Sequence, residues 1–150
     1  MKTITAFVST LFVLSAGPAF SQVKYDAKVW RNLQTYDVRT LSKEMSGHVR
    51  QLIGLKCNFR GKDIHHLKSN WYQGSLWQPD PENKGKFSDV RVMVTNKDLN
   101  AFKSLPTDSS AGEITLYGRV EQDVEANFFF VRLVGSNATV DSSGKATVTW

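Results

Sequence analysis

Residues 113–134, EITLYGRVEQDVEANFFFVRLV, carry the decisive pattern of this chain. Ile114, Leu116, Gly118 and Val120 alternate with Thr115, Tyr117 and Arg119, the period of a strand with one face on a core. A polar turn, Glu121 to Ala126, separates this run from a second one, NFFFVRLV. Side chains alternate along a strand, so keeping Arg132 out of the core places Phe128 and Phe130 outside with it. The hairpin then offers Tyr117, Arg119, Phe128, Phe130 and Arg132 on one face. A competing arrangement covers Phe128 and Phe130 with an N-terminal helix through Trp30 and Leu33, because three consecutive phenylalanines usually mean burial on both sides.

Upstream of the hairpin the chain continues in strands. Val49, Ile53, Leu55, Cys57 and Phe59 share one parity and Arg50, Lys56, Asn58 and Arg60 the other, which predicts a long half-buried strand with a basic outer side. Gly61-Lys62-Asp63 is a turn, and Ile64 to Trp77 is a second strand region. Gln78 to Lys86, QPDPENKGK, is a surface loop by its proline, glycine and charge. A third strand, Asp89 to Thr95, buries Val90, Val92 and Val94 and exposes Arg91. One helix follows, with Asn96 as its cap, Leu99, Phe102 and Leu105 on one side, and Pro106 as its stop. Beyond Val134 a turn at Asp141-Ser142-Ser143-Gly144 joins two short extended pieces.

Strand, strand, strand, helix, strand, strand is the element order of the OB-fold, a Greek-key barrel. From Gly47 to about Val140 the chain resembles small secreted OB-fold proteins of the nucleic-acid-binding type. GHVRQLIGLKCNF resembles their first strand, and ITLYGRV with NFFFVRLVG their fourth and fifth. The resemblance rests on element order and strand texture, without a diagnostic motif. It implies a mainly β, five-stranded barrel with its helix between strands three and four.

The two ends lie outside that resemblance. Lys2, the apolar stretch Ile4 to Ala16, Gly17-Pro18 and the small residues at Ala19 and Ser21 have the order of a signal peptide cut before Gln22. The stretch is shorter than the ~20 residues that span a bilayer. Residues 1–21 are therefore read as a signal peptide, 22–46 as a helical lid, and 47–150 as the barrel with a C-terminal hairpin. The lid follows from Val29, Trp30, Leu33 and Tyr36 at helical spacing, with Asp26 near its start and Gly47 after a second turn. Export places the protein in a periplasm or outside the cell. Losing residues 1–21 removes one lysine and no acid, leaving 18 basic and 14 acidic residues, a net of +4. That balance suits an anionic partner without requiring one. The single cysteine, Cys57, leaves stability to packing instead of an internal disulfide.

Four constellations could carry chemistry. On the hairpin face, Tyr117, Phe128 and Phe130 supply stacking surface, with Arg50, Lys56, Arg60, Arg91, Arg119 and Arg132 as charge. Lys68 to Trp77, KSNWYQGSLW, read as a loop, puts Trp71, Tyr72 and Trp77 among short polar groups. That mixture suits glycan or protein recognition, or else Trp71 and Trp77 fill the barrel. Cys57 and His65 could lie diagonally on one face, with His66 on the other, which gives zinc two ligands at most where it needs three or four. Asp63, Asp89, Glu121 and Asp123 are scattered over several loops and strand ends, a poor basis for a secreted hydrolase. The expectation is an exported, non-enzymatic module without cofactor or metal, binding single-stranded nucleic acid or another anionic polymer. The alternative is an envelope protein that binds protein or glycan through Trp71, Tyr72 and Trp77. Asn137-Ala138-Thr139 is a glycosylation sequon, relevant only where exported proteins are glycosylated.

Overall fold

The computed structural model describes residues 21–150, so the signal segment read from the sequence lies outside the described residues apart from Ser21. In chain order the elements are β1 (Val23–Tyr25), α1 (Ala27–Arg31), β2 (Gln34–Asp37), α2 (Val38–Glu44), β3 (Leu52–Cys57), β4 (Phe59–Arg60), β5 (His65–His66), β6 (Trp71–Pro79), β7 (Phe87–Thr95), α3 (Leu99–Ser104), β8 (Ile114–Asp123), β9 (Phe128–Gly135), β10 (Asn137–Val140) and β11 (Ala146–Thr149). Strands dominate. They form a large sheet in the order β2-β3-β8-β9-β7-β6-β4, with β5 on β6, and a small sheet in the order β1-β11-β10.

The segment Leu52–Arg60 enters the large sheet at two places. β3 and β4 are one strand bent at Asn58; β3 pairs with β8, while β4 pairs with β6 at Phe59↔Trp77. Between those ends, β8 pairs antiparallel with β9, β9 parallel with β7, and β7 antiparallel with β6. The parallel step, Val92↔Val131 and Met93↔Arg132, sets a strand before α3 beside one after it. This is an OB-like order, reached from the pairing alone.

Inward-facing residues at alternate positions fill the interior: Ile53, Leu55 and Cys57 from β3, Leu76 from β6, Val90, Val92 and Val94 from β7, Leu116 and Val120 from β8, and Val131 and Leu133 from β9. Phe102 of α3 is fully buried and needs Gly74 on β6, because a Cβ there would lie 2.6 Å from Cε1 of its ring. Val38 and Leu41 of α2, both fully buried, join the same core.

Several expectations change. Residues 22–46 form two short helices, with a strand between them that the sequence reading did not include. Asp26 does start α1, its carboxylate accepting Val29 N at 2.8 Å, but the helix ends after five residues at the Asn32 cap. Gln34–Asp37 then extends as β2 parallel to β3, and Asp37 caps α2 by accepting Thr40 N at 2.6 Å. The pairing of β2 with β3 separates the two helices, and Asp37, at the end of β2, starts the second. Residues 71–77 are not a loop but most of the nine-residue strand β6. The expected single strand 64–77 turns back on itself, so that His65 pairs with Gln73. Asp98, not Asn96, occupies the cap position of α3; its buried carboxylate accepts Thr95 Oγ1 at 3.1 Å. Arg50 lies before β3 in a tight turn.

Candidate nucleic-acid interface

The outer side of the large sheet gathers Trp71 from one sequence constellation with Phe128 and Phe130 from the other. In β9, Phe128, Phe130 and Arg132 alternate with buried Val131 and Leu133, as the parity of Arg132 requires. Their cross-strand partners on β8 are Asp123, Glu121 and Arg119. On the other side, the parallel register sets Met93 of β7 against Arg132, and Gln73 of β6 against Met93. Trp71 and Gln73 therefore share a face with Phe128 and Phe130. Together with Leu67 and Lys68 from the turn after β5, and Ala126 from the β8–β9 turn, they line a groove of about 550 Å³. Phe128 and Phe130 stand with ring centroids 6.0 Å apart, and the Arg91 guanidinium lies 4.0 Å from the Phe128 centroid. That contact holds the Phe128 ring in place by a cation–π attraction.

Two carboxylates also line the groove. Glu121 Oε1 is 3.0 Å from Arg132 Nε. Asp123 accepts Ala126 N at 2.9 Å and so shapes the β8–β9 turn. The groove floor is thus apolar and its flank on β8 is acidic, while cationic groups sit at its edges. Flat neutral rings fit such a floor, with negative groups kept to the margins.

The remaining candidates separate. Tyr117 packs on Trp30 at 5.4 Å, and Trp30 on Tyr25 at 6.3 Å, so the N-terminal segment covers Tyr117 and leaves the Phe128/Phe130 groove open. Lys56 lies on the outer side of β3 and pairs with Glu113 at 3.5 Å, away from the groove. Tyr72 points inward, packing against the core with its ring 4.9 Å from His66. Trp77 faces outward, not into the core, and forms a second aromatic group with Phe59 at 6.0 Å and Phe87 at 5.6 Å. Its indole N–H donates to Ser75 Oγ at 2.7 Å. Arg60 donates to the carbonyls of Gly61 and Lys103, each at 2.8 Å, which ties β4 to α3.

Cys57 faces the core, and burial, with a smaller push from Glu113, raises its thiol pKa to about 12. His65 is exposed on β5, so the diagonal Cys57–His65 pair is not formed. Among the described residues no three His, Cys, Asp or Glu side chains come together as a metal site. Sequence reasoning missed Gln73 and Met93 as members of this surface, although their parity with Trp71 and Arg91 carries the signal. Leu67 and Lys68 have no such signal, because the turn after β5 brings them in.

No family model matches the sequence, and no curated protein matches it. Among solved structures the chain is similar to a "putative nucleic acid-binding lipoprotein" from Klebsiella pneumoniae subsp. pneumoniae MGH 78578. That pair has 16% identity and a TM-score of 0.44, over 70% of this chain and 92% of the other. It is also similar to the OB4 domain of the yeast telomere protein Cdc13, at 12% identity and a TM-score of 0.39, over 67% of this chain and 86% of that one. At these scores neither likeness adds weight, and the OB-like assignment stands on the strand pairing.

Proposed function

We propose that the chain is an exported, non-catalytic module that binds single-stranded nucleic acid in the groove between β6, β7 and β9. In this reading β3/β4, β6, β7, β8 and β9 act as one five-stranded OB-type barrel, with α3 between the third and fourth strands. OB-folds take oligonucleotides across the second and third strands, between the loops that follow the first and fourth strands. The corresponding elements here are β6, β7, the turn carrying Leu67 and Lys68, and the β8–β9 turn. The observation that carries the proposal is the shared solvent-facing placement of Trp71, Phe128 and Phe130, with Arg91 against Phe128. Bases stack on the rings, and the acidic flank on β8 directs phosphates outward toward Lys68 and Arg91. Export rests on the order of the N-terminal sequence; among the described residues no helix is long and apolar enough to cross a membrane.

Fluorescence anisotropy with a labelled single-stranded oligonucleotide, at low and physiological salt, tests the reading. The expected result is micromolar binding that weakens with salt, with quenching of tryptophan emission as Trp71 stacks. An affinity indistinguishable from zero at low salt removes nucleic acid as the ligand, and glycans or protein partners then become the ligands to assay.

A further inference from the structure

Beside the groove lies a second concavity, of about 460 Å³, where Arg50, Arg119 and Arg132 converge with Glu121. Arg119 and Arg132 are cross-strand partners on the outer face of β8 and β9. Arg50 arrives from another part of the chain. Its backbone is left-handed, with φ 71, a conformation that side-chain-bearing residues rarely take. The turn around it is anchored: Arg50 N donates to Val120 O at 2.7 Å, Gln51 N to His48 O at 3.0 Å, and Val120 N to Gln51 O at 3.0 Å. Glycine would meet that backbone geometry without strain, so an arginine there points to a role for its side chain.

The charges are not balanced. Glu121, the one acid lining the pocket, pairs with Arg132, and among the described residues neither Arg50 nor Arg119 has an ion-pair partner. The contact between Arg132 Nε and Glu121 Oε1, at 3.0 Å, is an ion pair without an in-line hydrogen bond, which leaves that N–H without an acceptor among the described residues. Burial raises the pKa of the Tyr25 hydroxyl while Arg119 and Arg132 pull it down, so the phenol lies within the field of both arginines. Guanidinium groups recognise multi-oxygen anions by paired N–H donors, and clusters of them select phosphate.

We propose that Arg50, Arg119 and Arg132 form a phosphate site, holding the phosphate of the nucleotide whose base stacks on Phe130. The nucleotide part of this inference rests on the function proposed above; the phosphate part stands on the pocket itself. Glu121 pairs with Phe130 across the strands and lines both cavities, so the two sites meet at its side chain. The Arg119–Arg132 pair lies two residues along the strands from Glu121–Phe130, about 7 Å, within reach of one nucleotide.

Two measurements on the purified protein test the site. The first is titration with inorganic phosphate, followed by the arginine Nε–Hε NMR signals against a sodium chloride control of equal ionic strength. Saturable shifts confined to Arg50, Arg119 and Arg132 are expected, and their absence overturns the proposal. The second is the salt dependence of oligonucleotide affinity in Arg50→Gly/Arg119→Gln, whose first substitution suits the left-handed backbone. The slope of log K against log salt should fall in magnitude by about 0.7, the value for one phosphate contact on a single strand. Trp71→Ala should weaken binding at every salt concentration and leave the slope unchanged. Oligonucleotide binding with an unchanged slope in the arginine variant, and no phosphate shifts, overturns the phosphate site but leaves the groove reading in place. Phosphate shifts without oligonucleotide binding support the pocket as a site for free phosphate, and overturn both its assignment to a nucleotide and the groove reading.

Discussion

Replacing Phe130 by alanine separates a binding surface from a core more cleanly than any other single change. The ring is half-buried on the outer face of β9, 6.0 Å from Phe128, and the core-facing pair Val120 and Val131 of β8 and β9 is fully buried. Full truncation of a core phenylalanine costs about 3–5 kcal/mol, transfer and cavity terms together. Here the space left behind opens into the groove and fills with water, so the cavity term largely disappears. Only the area shielded by Phe128 and the neighbouring strands is lost, which should cost about 1–2 kcal/mol of stability. A stacked base, by contrast, is worth about 1–3 kcal/mol, so oligonucleotide affinity should fall roughly 5- to 150-fold. Urea denaturation and anisotropy on the same protein read the two quantities. A stability loss near 4 kcal/mol with unchanged affinity would show that the ring belongs to the core, and the groove would lose its central stacking surface.

Three further outcomes follow from the packing. The Cys57 thiol, which would ordinarily titrate at pH 9.0, is pushed up to about 12 by its burial in the fold. Below pH 9 both folded and unfolded thiols are protonated and contribute no pH dependence. Between about pH 9 and 12 the unfolded thiol ionises and the folded one does not, so wild-type stability falls relative to Cys57→Ala. Urea midpoints at pH 7.5 and 10.5 should differ between the two proteins by about 1–2 kcal/mol of that relative loss. Equal pH profiles would refute the burial argument. Gly74→Ala puts a Cβ 2.6 Å from Phe102 Cε1 and 2.8 Å from Cζ, and overpacking of this kind should cost about 1–3 kcal/mol. In a double-mutant cycle with Phe102→Leu part of that cost should be recovered, and strict additivity would mean that the two residues do not meet. Asp37→Ala removes the cap on Thr40 N and should lower stability by about 0.5–2 kcal/mol in thermal or urea denaturation, without changing oligonucleotide affinity.

The strands were largely legible because each has one wet and one dry face. Alternation in Ile114–Val120 and the parity argument from Arg132 placed Phe128 and Phe130 on the outer side, where the structure has them. The same reasoning went wrong where two local signals competed. Val29, Trp30, Leu33 and Tyr36 do fall at helical spacing, but Asp37 offers its carboxylate to a new helix and Gln34–Asp37 finds a backbone partner in β3. Propensity cannot anticipate that partner, because its hydrogen bonds come from residues 53–56. Trp71 and Trp77 were misplaced for a related reason: glycine, serine and amide residues between them look like a loop, yet Gly74 is the space that Phe102 requires.

What no local reading could supply is the parallel pairing of β7 with β9. Val92↔Val131 joins residues far apart in the chain, across the helix α3 and the strand β8, and it is this pairing that brings Trp71 and Gln73 next to Phe128 and Phe130. The sequence therefore offered two rival sites where the structure has one groove, along with a separate aromatic group at Trp77. The two constellations compete only while they are thought to lie on different surfaces. Once they share a face, a ligand that crosses from β6 to β9 meets Trp71, then the Phe128/Phe130 pair, and then Arg119 and Arg132 on β8 and β9. An extended chain with alternating flat and anionic groups matches that succession. A compact ligand confined to the apolar floor would make no use of Arg50 and its left-handed backbone.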